Sequence, residues 1–256
     1  MKITVISQWY NDEFLAPFFL KHYSYADEIV VLMETDTNDS TREILLDHVY
    51  SGWNITLWEV HCPGGHDDRC KVDNVNQWAS SIDEGWIIPV DSDEFVFPEF
   101  HEDIRNFLSR QTADVVMAQY YYVYRHVTEG ELDPEKDVIS QRVHGQDMGE
   151  GNNYYKYTKV GAYRVGKGIE LTIGYHGFIG DHPISKERFI GSHWNMADEK
   201  IARRRLVSRD RMSENNKKHG YGRHNFHITE EKLMRQLKEN SNLPVLDALI
   251  RKDEWA

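Results

Sequence analysis

Hydrophobic and polar positions follow two recurring patterns over the first 90 residues. Short apolar runs rich in β-branched residues predict strands, and they cover residues 2–7, 28–33, 54–60 and 86–90. Between them, apolar residues recur at helical spacing and predict helices over 12–25, 41–49 and 73–82. This alternation favours an α/β fold with a mostly parallel central sheet flanked by helices and joined by right-handed crossovers.

The pattern changes after Asp91. We expect a short helix, a long strand and two later strands over 104–110, 113–124, 154–165 and 170–174. The polar, Gly-containing stretch 128–153 predicts a mobile loop. Helical patterns then cover 197–219, 229–240 and a short piece after Pro244. The sequence therefore predicts a main domain over 1–196 and a helical C-terminal extension over 197–256.

Composition adds few constraints. The chain is 40% hydrophobic and 28% charged, as in ordinary globular proteins, and no apolar run approaches the ~18 residues of a membrane span. The opening Met1–Ile6 turns polar too soon for a signal peptide, so we expect a cytoplasmic protein. Cys62 and Cys70 do not make a disulfide framework, and we expect ordinary thiols.

Charge is distributed unevenly. The net charge of −12 argues against nucleic-acid binding. Residues 199–223, however, carry nine Lys or Arg and three acids, so this basic segment is net +6. It predicts an anionic partner, such as the inner face of a membrane, and the alternative is a solvated helix face balancing an acidic body.

The most informative motif lies at the end of the fourth predicted strand. The apolar run Trp86–Val90 leads directly into Asp91, Ser92, Asp93 and Glu94. Ligands of open α/β sheets bind outside the carboxyl ends of the strands, where these carboxylates would lie. Two Asp one residue apart can both reach one hard divalent cation, Mn²⁺ or Mg²⁺, although acidic triplets also occur in ordinary solvated turns.

Other polar motifs occur in a consistent order around this acidic one. The first strand ends in Gln8-Trp-Tyr-Asn-Asp-Glu13, and the second ends in an acidic turn, Glu34–Thr41. A helix with Asn74 and Asn76, preceded by Arg69 and Lys71, comes before Asp91-Ser-Asp-Glu-Phe95, and His193-Trp194 follows late in the chain. This order resembles the family 2-type glycosyltransferases with the GT-A fold, in particular a small bacterial branch with an Asp-x-Asp-Glu-Phe motif. The resemblance covers residues 1 to about 100 well, is weaker to about 195, and leaves the C-terminal helices out.

The resemblance implies a GT-A-like fold and metal-dependent transfer of a sugar from a nucleotide-sugar donor. The acceptor would be a glycan or lipid-linked glycan, and the reaction would invert the anomeric carbon during polysaccharide or glycoconjugate assembly. Donor binding is expected at Glu34, Asp36, Arg69, Asn74, Asp91 and Ser92, and metal binding at Asp91, Asp93 and His193. The acceptor would contact Glu94, His176 and Trp194, and candidates for the general base are Asp181, Asp147 and Glu150.

Three rival functions share parts of this pattern. A haloacid-dehalogenase-like phosphotransferase also uses Asp-x-Asp after a strand, but it needs Thr or Val where this chain has Phe95. A nucleotidyltransferase would carry a Gly-rich, Arg-containing loop after the first strand, where this chain has Gln8–Asn11. A non-catalytic carbohydrate-binding module could keep the fold without turnover, and the retained acidic motif argues against it.

Overall fold

A computed structural model describes residues 1–147 and 158–250. Its strands are β1 (Ile3–Trp9), β2 (Glu28–Glu34), β3 (Ile55–Val60), β4 (Trp86–Pro89), β5 (Glu94–Pro98), β6 (Val115–Val123), β7 (Gly145–Asp147), β8 (Thr158–Arg164), β9 (Glu170–Leu171), β10 (Phe178–Ile179) and β11 (Phe189–His193). The α-helices are α1 (Ala16–His22), α2 (Thr41–Tyr50), α3 (Asp68–Ala79), α4 (Ile104–Ser109), α5 (Glu199–Asp210), α6 (Glu214–His219) and α7 (Glu230–Glu239).

The predicted α/β architecture is confirmed. The large sheet has the order β3-β2-β1-β4-β8-β6-β11-β5, with β7 added beside β6. Strands β3, β2, β1 and β4 are parallel and carry helical crossovers, as the alternating pattern predicts. Beyond β4 the sheet is mixed, because β8 is antiparallel to both β4 and β6 and β11 is antiparallel to β5.

The apolar runs of the parallel strands supply two cores, one on each face of the sheet. In β2, Ile29, Val31 and Met33 enter one apolar cluster, while Val30 and Leu32 enter the cluster on the opposite face. Since successive strand side chains point to opposite faces, a strand buried on both sides reads as a continuous apolar run. Each such side chain contributes roughly 1.5–3 kcal/mol when fully buried.

Several element boundaries differ from the sequence prediction. Helix α1 begins at Ala16 rather than residue 12, and the Asp12 carboxylate accepts from the Ser92 hydroxyl instead of capping it. Helix α3 begins five residues earlier than predicted, at Asp68, because the Asp67 side chain accepts hydrogen bonds from the Arg69 and Cys70 amides. Strand β5 was not predicted, and it forms because β11, almost a hundred residues later, pairs with it.

The predicted loop over 128–153 contains ordered structure in its described part, which ends at residue 147. The Arg142 side chain is 1% exposed and donates to the carbonyls of Ala197, Gln141 and Gly130. These bonds fix the segment against the start of the C-terminal helices, and β7 follows directly. A polar, Gly-containing stretch that indicates a loop thus also contains a buried arginine that is bonded to three main-chain carbonyls.

The C-terminal helical prediction holds with one break. The long helix predicted over 197–219 divides into α5 and α6 at Arg211–Ser213, because this connector pairs with His66 and the Ser213 hydroxyl caps α6. Ala197, Ile201 and Leu249 belong to the same apolar cluster as β1 and β4. Helix α5 and the turn at Leu249 are therefore packed onto the sheet, whereas Leu233 of α7 belongs to a separate apolar cluster with Tyr124 and Ala202. None of the helices within 1–147 and 158–250 is both long and apolar enough to cross a bilayer.

The expectation of ordinary thiols is wrong, because Cys62 and Cys70 form a disulfide. The bond closes a ring of nine residues, 62–70, which runs from just after β3 into the first turn of α3 and carries His66 and Asp67. Strand β3 ends and α3 begins at positions that bring the two Cα atoms to 5.8 Å, within bonding range. Spacing alone does not encode that approach.

Reduction of this disulfide is expected to lower the free energy of unfolding by about 2–3 kcal/mol, because a loop of this length then regains its freedom in the unfolded chain. Thermal unfolding with and without dithiothreitol measures the difference. A Cys62→Ala/Cys70→Ala variant is the control and should match the reduced protein in both conditions. An equal melting temperature for oxidised and reduced wild-type protein would contradict the expectation.

Candidate active site

A cavity of about 540 Å³ opens at the carboxyl ends of β1, β2 and β4. The sheet side of its wall is mainly acidic and polar, and the opposite wall comes from α5 and the segments after it. The strand-end residues that line it are Gln8, Tyr10, Asp12, Glu34, Asp91, Ser92 and Asp93. The cationic residues that line it are Lys71, Lys159, Arg204, Arg205, Arg211 and Arg223. Four arginines of the basic segment 199–223 thus line the cavity.

Asp91 lies between two lysines. Lys71, from α3, forms an ion pair with one oxygen, and Lys159, from β8, approaches the other at 3.2 Å. Burial by itself would raise the pKa of Asp91, but the charges of Lys159 and Lys71 hold it well below its usual range. Asp91 is therefore a fixed anion whose charge the protein already compensates.

Glu94 lies beneath the cavity rather than on its wall. Its side chain is fully buried and pairs with Lys159 at 2.5 Å, and Lys159 is itself only 4% exposed. Burial raises the pKa of Glu94, although Lys159 opposes this. The acceptor role expected for Glu94 does not fit this position, since a buried carboxylate bonded to a buried lysine offers no surface to a sugar.

Asp93 faces His193, which β11 brings alongside. The Oδ2 atom of Asp93 lies 3.7 Å from Nε2 of His193, and the His193 ring stacks on Tyr122. Burial would raise the pKa of Asp93, but His193 lowers it to about 2. The Nδ1 atom of His193 is buried without a hydrogen-bond partner among the described residues. Both side chains are thus held at the cavity with ligand atoms directed toward each other.

Asp12 is a site residue that the sequence prediction missed. Its carboxylate is 1% exposed, accepts from the Ser92 hydroxyl at 2.9 Å and pairs with Arg204. Burial raises its pKa to about 6, with Arg204 opposing the shift. An Asp before a helix indicates an N-cap, and no sequence signal distinguishes that role from a buried carboxylate at a strand end.

Arg211 occupies the part of the cavity at the ends of β1 and β2. Its guanidinium lies 3.3 Å from the centre of the Tyr10 ring and donates to Glu34 and Asp36 at 2.6 and 2.7 Å. Two predicted donor-binding carboxylates are thus brought together by a residue from the C-terminal helices. Arg211 was expected only as one of the cations of the basic segment 199–223.

Of the other predicted site residues, His176 lines the cavity. Arg69 is exposed and pairs with Asp73, and Asn74 donates to Gln8 behind the Glu34 side chain. Trp194 is fully buried against Phe95 and Phe18, so it is a core residue and not an acceptor platform. Of the base candidates, Asp181 and Asp147 are not on the cavity wall, and Glu150 lies outside the described residues.

The predicted metal triad is formed only in part. Within the described chain no cluster of three or more His, Cys, Asp or Glu side chains has an arrangement that could hold a metal ion. Asp93 and His193 supply two suitable donor atoms on one side of the cavity. Asp91 differs, because both of its oxygens face lysines. Of the three predicted metal ligands, Asp93 and His193 therefore lie together at the cavity, and Asp91 is turned to lysines.

No protein-family model matches the chain, and no curated protein sequence matches it. Solved structures with a similar chain path include a fragment of S. aureus TarS (14% identity, TM-score 0.43, 94% of this chain and 79% of that one) and the same fragment in complex with UDP-GlcNAc (16%, 0.45, 93% and 71%). The mannosyltransferase PcManGT from Pyrobaculum calidifontis, in complex with GDP-Man and Mn²⁺, is similar at 15% identity and a TM-score of 0.34. That likeness covers 46% of this chain and 34% of the mannosyltransferase.

Proposed function

We propose that this protein is a metal-dependent, inverting glycosyltransferase of the hexosyltransferase type that uses a nucleotide-sugar donor. The observation that carries the proposal is a cavity at the carboxyl ends of β1, β2 and β4 whose acidic strand tip faces a wall of arginines. Such a crevice is the usual ligand site of an open α/β sheet. A nucleoside diphosphate needs both halves of it, since its phosphates are anionic and its ribose and base carry hydrogen-bond donors.

Cationic side chains would stabilise the leaving diphosphate. Arg204 and Arg205 both line the cavity, and a guanidinium can pair with phosphate oxygens in a bidentate manner. Arg204 is held in place by Asp12 and by the Ser92 hydroxyl at 3.2 Å. Because these contacts hold its side chain at the cavity wall, Arg204 would be preorganised toward charge that develops as the glycosidic bond breaks.

We further propose that Asp93 and His193 hold a divalent cation, Mn²⁺ or Mg²⁺, together with the donor. When bound, such a cation neutralises charge on the diphosphate as a Lewis acid. Because the lowered pKa of Asp93 keeps it ionised throughout the neutral range, its carboxylate needs no deprotonation to bind. Asp91, whose charge is compensated by Lys71 and Lys159, would contact the ribose or orient the acidic turn after β4 rather than coordinate the metal.

The general base and the acceptor complete the proposed reaction. Inversion requires a general base. Neither described base candidate, Asp147 or Asp181, lines the cavity, so the base is left unassigned. We retain a glycan or lipid-linked glycan as the proposed acceptor, with His176 at the cavity wall. The membrane contact through residues 199–223 remains a prediction, as does a cytoplasmic location at the inner membrane face.

The experiment is a thermal-shift screen of nucleotide-sugars with Mn²⁺ and with EDTA, followed by product analysis with the ones that bind. A ligand bound only by the folded protein raises the free energy of unfolding, by about 2.7 kcal/mol at a hundredfold excess over its dissociation constant. The melting temperature rises with it. We expect a shift that requires Mn²⁺ and slow release of free sugar without an acceptor. Binding without any turnover would indicate a carbohydrate- or nucleotide-binding module instead, and no binding would remove the proposal.

A further inference from the structure

The disulfide-closed ring of residues 62–70 is the surface against which the chain after α5 lies. The His66 amide donates to the Arg211 carbonyl at 2.7 Å, and the His66 carbonyl accepts from the Ser213 amide at 3.0 Å. Gly65 approaches the same carbonyl so closely that a Cβ atom added to it would lie 2.3 Å from the Arg211 oxygen. The connector between α5 and α6 is thus bonded to this ring through its main chain.

Side chains extend this contact into α6. Asp67 accepts from the Ser213 hydroxyl at 2.7 Å and from the Asn215 side-chain amide at 3.2 Å. Asn216 is fully buried, and its side chain accepts from the Asp68 amide and donates to the Asp68 carboxylate, both at 3.0 Å. A buried polar group that loses its partner is costly, so these bonds require that the ring keep its shape.

The two sulfur atoms also lie directly behind the cavity wall. The Gln8 side chain donates to Glu34 at 3.2 Å and lies 3.4 Å from the Cys62 sulfur. Asn74 donates to Gln8 at 3.0 Å and lies 3.6 Å from both sulfurs. Glu34 in turn accepts from Arg211 at 2.6 Å. The disulfide therefore adjoins the groups that position both partners of this ion pair.

We propose that Cys62–Cys70 is a redox modification site, and that its reduction frees the ring, loosens the connector Arg211–Ser213 and lowers the affinity of the cavity for an anionic ligand. Arg211 lies in this connector, and Arg204 and Arg205 lie in the helix that ends there, so all three depend on how the connector is held. The effect on ligand binding rests on the proposed function, whereas the loosening of the connector does not. The oxidised protein is the form that binds.

The reductant is a dithiol, such as a protein of the thioredoxin class presents. Cys70 is partly exposed and Cys62 is only 6% exposed, so a thiolate of the reductant attacks the Cys70 sulfur and Cys62 leaves as a thiolate. The second thiol of the reductant then breaks the mixed disulfide and releases Cys70. Two electrons and two protons pass to the protein, which gains two thiols, and the reductant becomes a disulfide. In the proposed cytoplasmic location, such a bond would be regulatory rather than permanent.

Hydrogen exchange of the folded protein tests the loosening directly. The protein is reduced with dithiothreitol, and alkylation with iodoacetamide followed by mass measurement counts its free thiols. We expect peptides that contain the amides of His66, Asp68 and Ser213 to exchange at least about tenfold faster after reduction, while β1 and β4 stay unchanged. The Cys62→Ala/Cys70→Ala variant should exchange like the reduced protein in both conditions. Asp114→Ala is the control for a general loss of stability and should leave these peptides protected.

Isothermal titration calorimetry with Mn²⁺ tests the effect on the cavity, with UDP, GDP and dTDP as probes. Excess dithiothreitol is removed before each titration. We expect reduction to weaken the affinity for any nucleotide that binds by roughly fivefold to fiftyfold. The cysteine-free variant should bind weakly with or without prior reduction. Ser213→Ala removes the hydroxyl bonded to Asp67 while the disulfide stays intact, and it should weaken binding in the same direction by a smaller factor.

The outcomes separate the two proposals. A bond that dithiothreitol leaves intact in the folded protein, or equal exchange before and after reduction, would overturn the redox site. Faster exchange with unchanged nucleotide affinity would overturn the effect on the cavity and leave the glycosyltransferase proposal standing. If none of the three nucleotides binds the oxidised protein while exchange still responds to reduction, the proposed function fails and the loosening of the connector stands.

Discussion

Asp93→Ala is expected to abolish metal-dependent sugar transfer, lowering kcat by about a thousandfold or more. In the proposed mechanism this carboxylate is one of two cavity side chains that would hold a cation against the diphosphate, and a bound cation contributes several kcal/mol of charge stabilisation in the transition state. Initial rates at saturating Mn²⁺ and donor measure the effect. Calorimetry with Mn²⁺ plus nucleoside diphosphate should show a parallel loss of affinity.

The same variant should also lose stability in a pH-dependent way. The pKa of Asp93 is lowered from 3.8 to about 2, so the fold gains stability above pH 4 and loses it as pH falls toward 2. Near neutral pH the variant should therefore be less stable by about 2 kcal/mol, and the difference from wild type should disappear in strong acid.

A matched control separates these effects. Asp114 is 16% exposed against 19% for Asp93, and its partners are Arg164 and Lys167, outside the cavity. Asp114→Ala should reduce stability modestly and leave transfer unchanged. An Asp93→Ala protein with wild-type activity would refute the assignment of Asp93 as a metal ligand.

Lys159→Met should destabilise the protein by roughly 3–5 kcal/mol, because it leaves the buried Glu94 carboxylate without its partner. For a chain of this size the melting temperature should fall by roughly 10 °C. Glu94 would then have to take up a proton or remain an unpaired charge, and Asp91 would lose one of its two lysines. Chemical denaturation at neutral pH provides the free energy of unfolding.

A double variant identifies the cause of this lost stability. In the Lys159→Met/Glu94→Gln double variant no buried charge is left alone at this position, so part of the lost stability should return. Lys167→Met is the surface control, since Lys167 is 48% exposed and its ion pair with Asp114 contributes little. Equal destabilisation by the single and double variants would mean that lost packing, not the unpaired carboxylate, dominates.

Sequence pattern predicted the parallel half of the sheet well. Strands β1, β2, β3 and β4 and the helices between them follow from local apolar periodicity, because burial of a continuous apolar run on both faces needs no knowledge of distant residues. The position of Asp91 and Asp93 at a strand end is equally local. The antiparallel half was harder to predict from the sequence, since β5 forms by pairing with the distant strand β11.

What the sequence by itself determined is the α/β class, the parallel strands and the acidic tip at which Asp91 and Asp93 lie. The tertiary structure decided the partners of those carboxylates: Lys159 for Glu94, His193 for Asp93 and Arg211 for Glu34, which lie 65, 100 and 177 residues away along the chain. It also decided the Cys62–Cys70 bond. The physical reason is that periodicity reports which side of an element is buried, whereas the charge that meets a given carboxylate depends on strand order and helix packing, which no local pattern specifies.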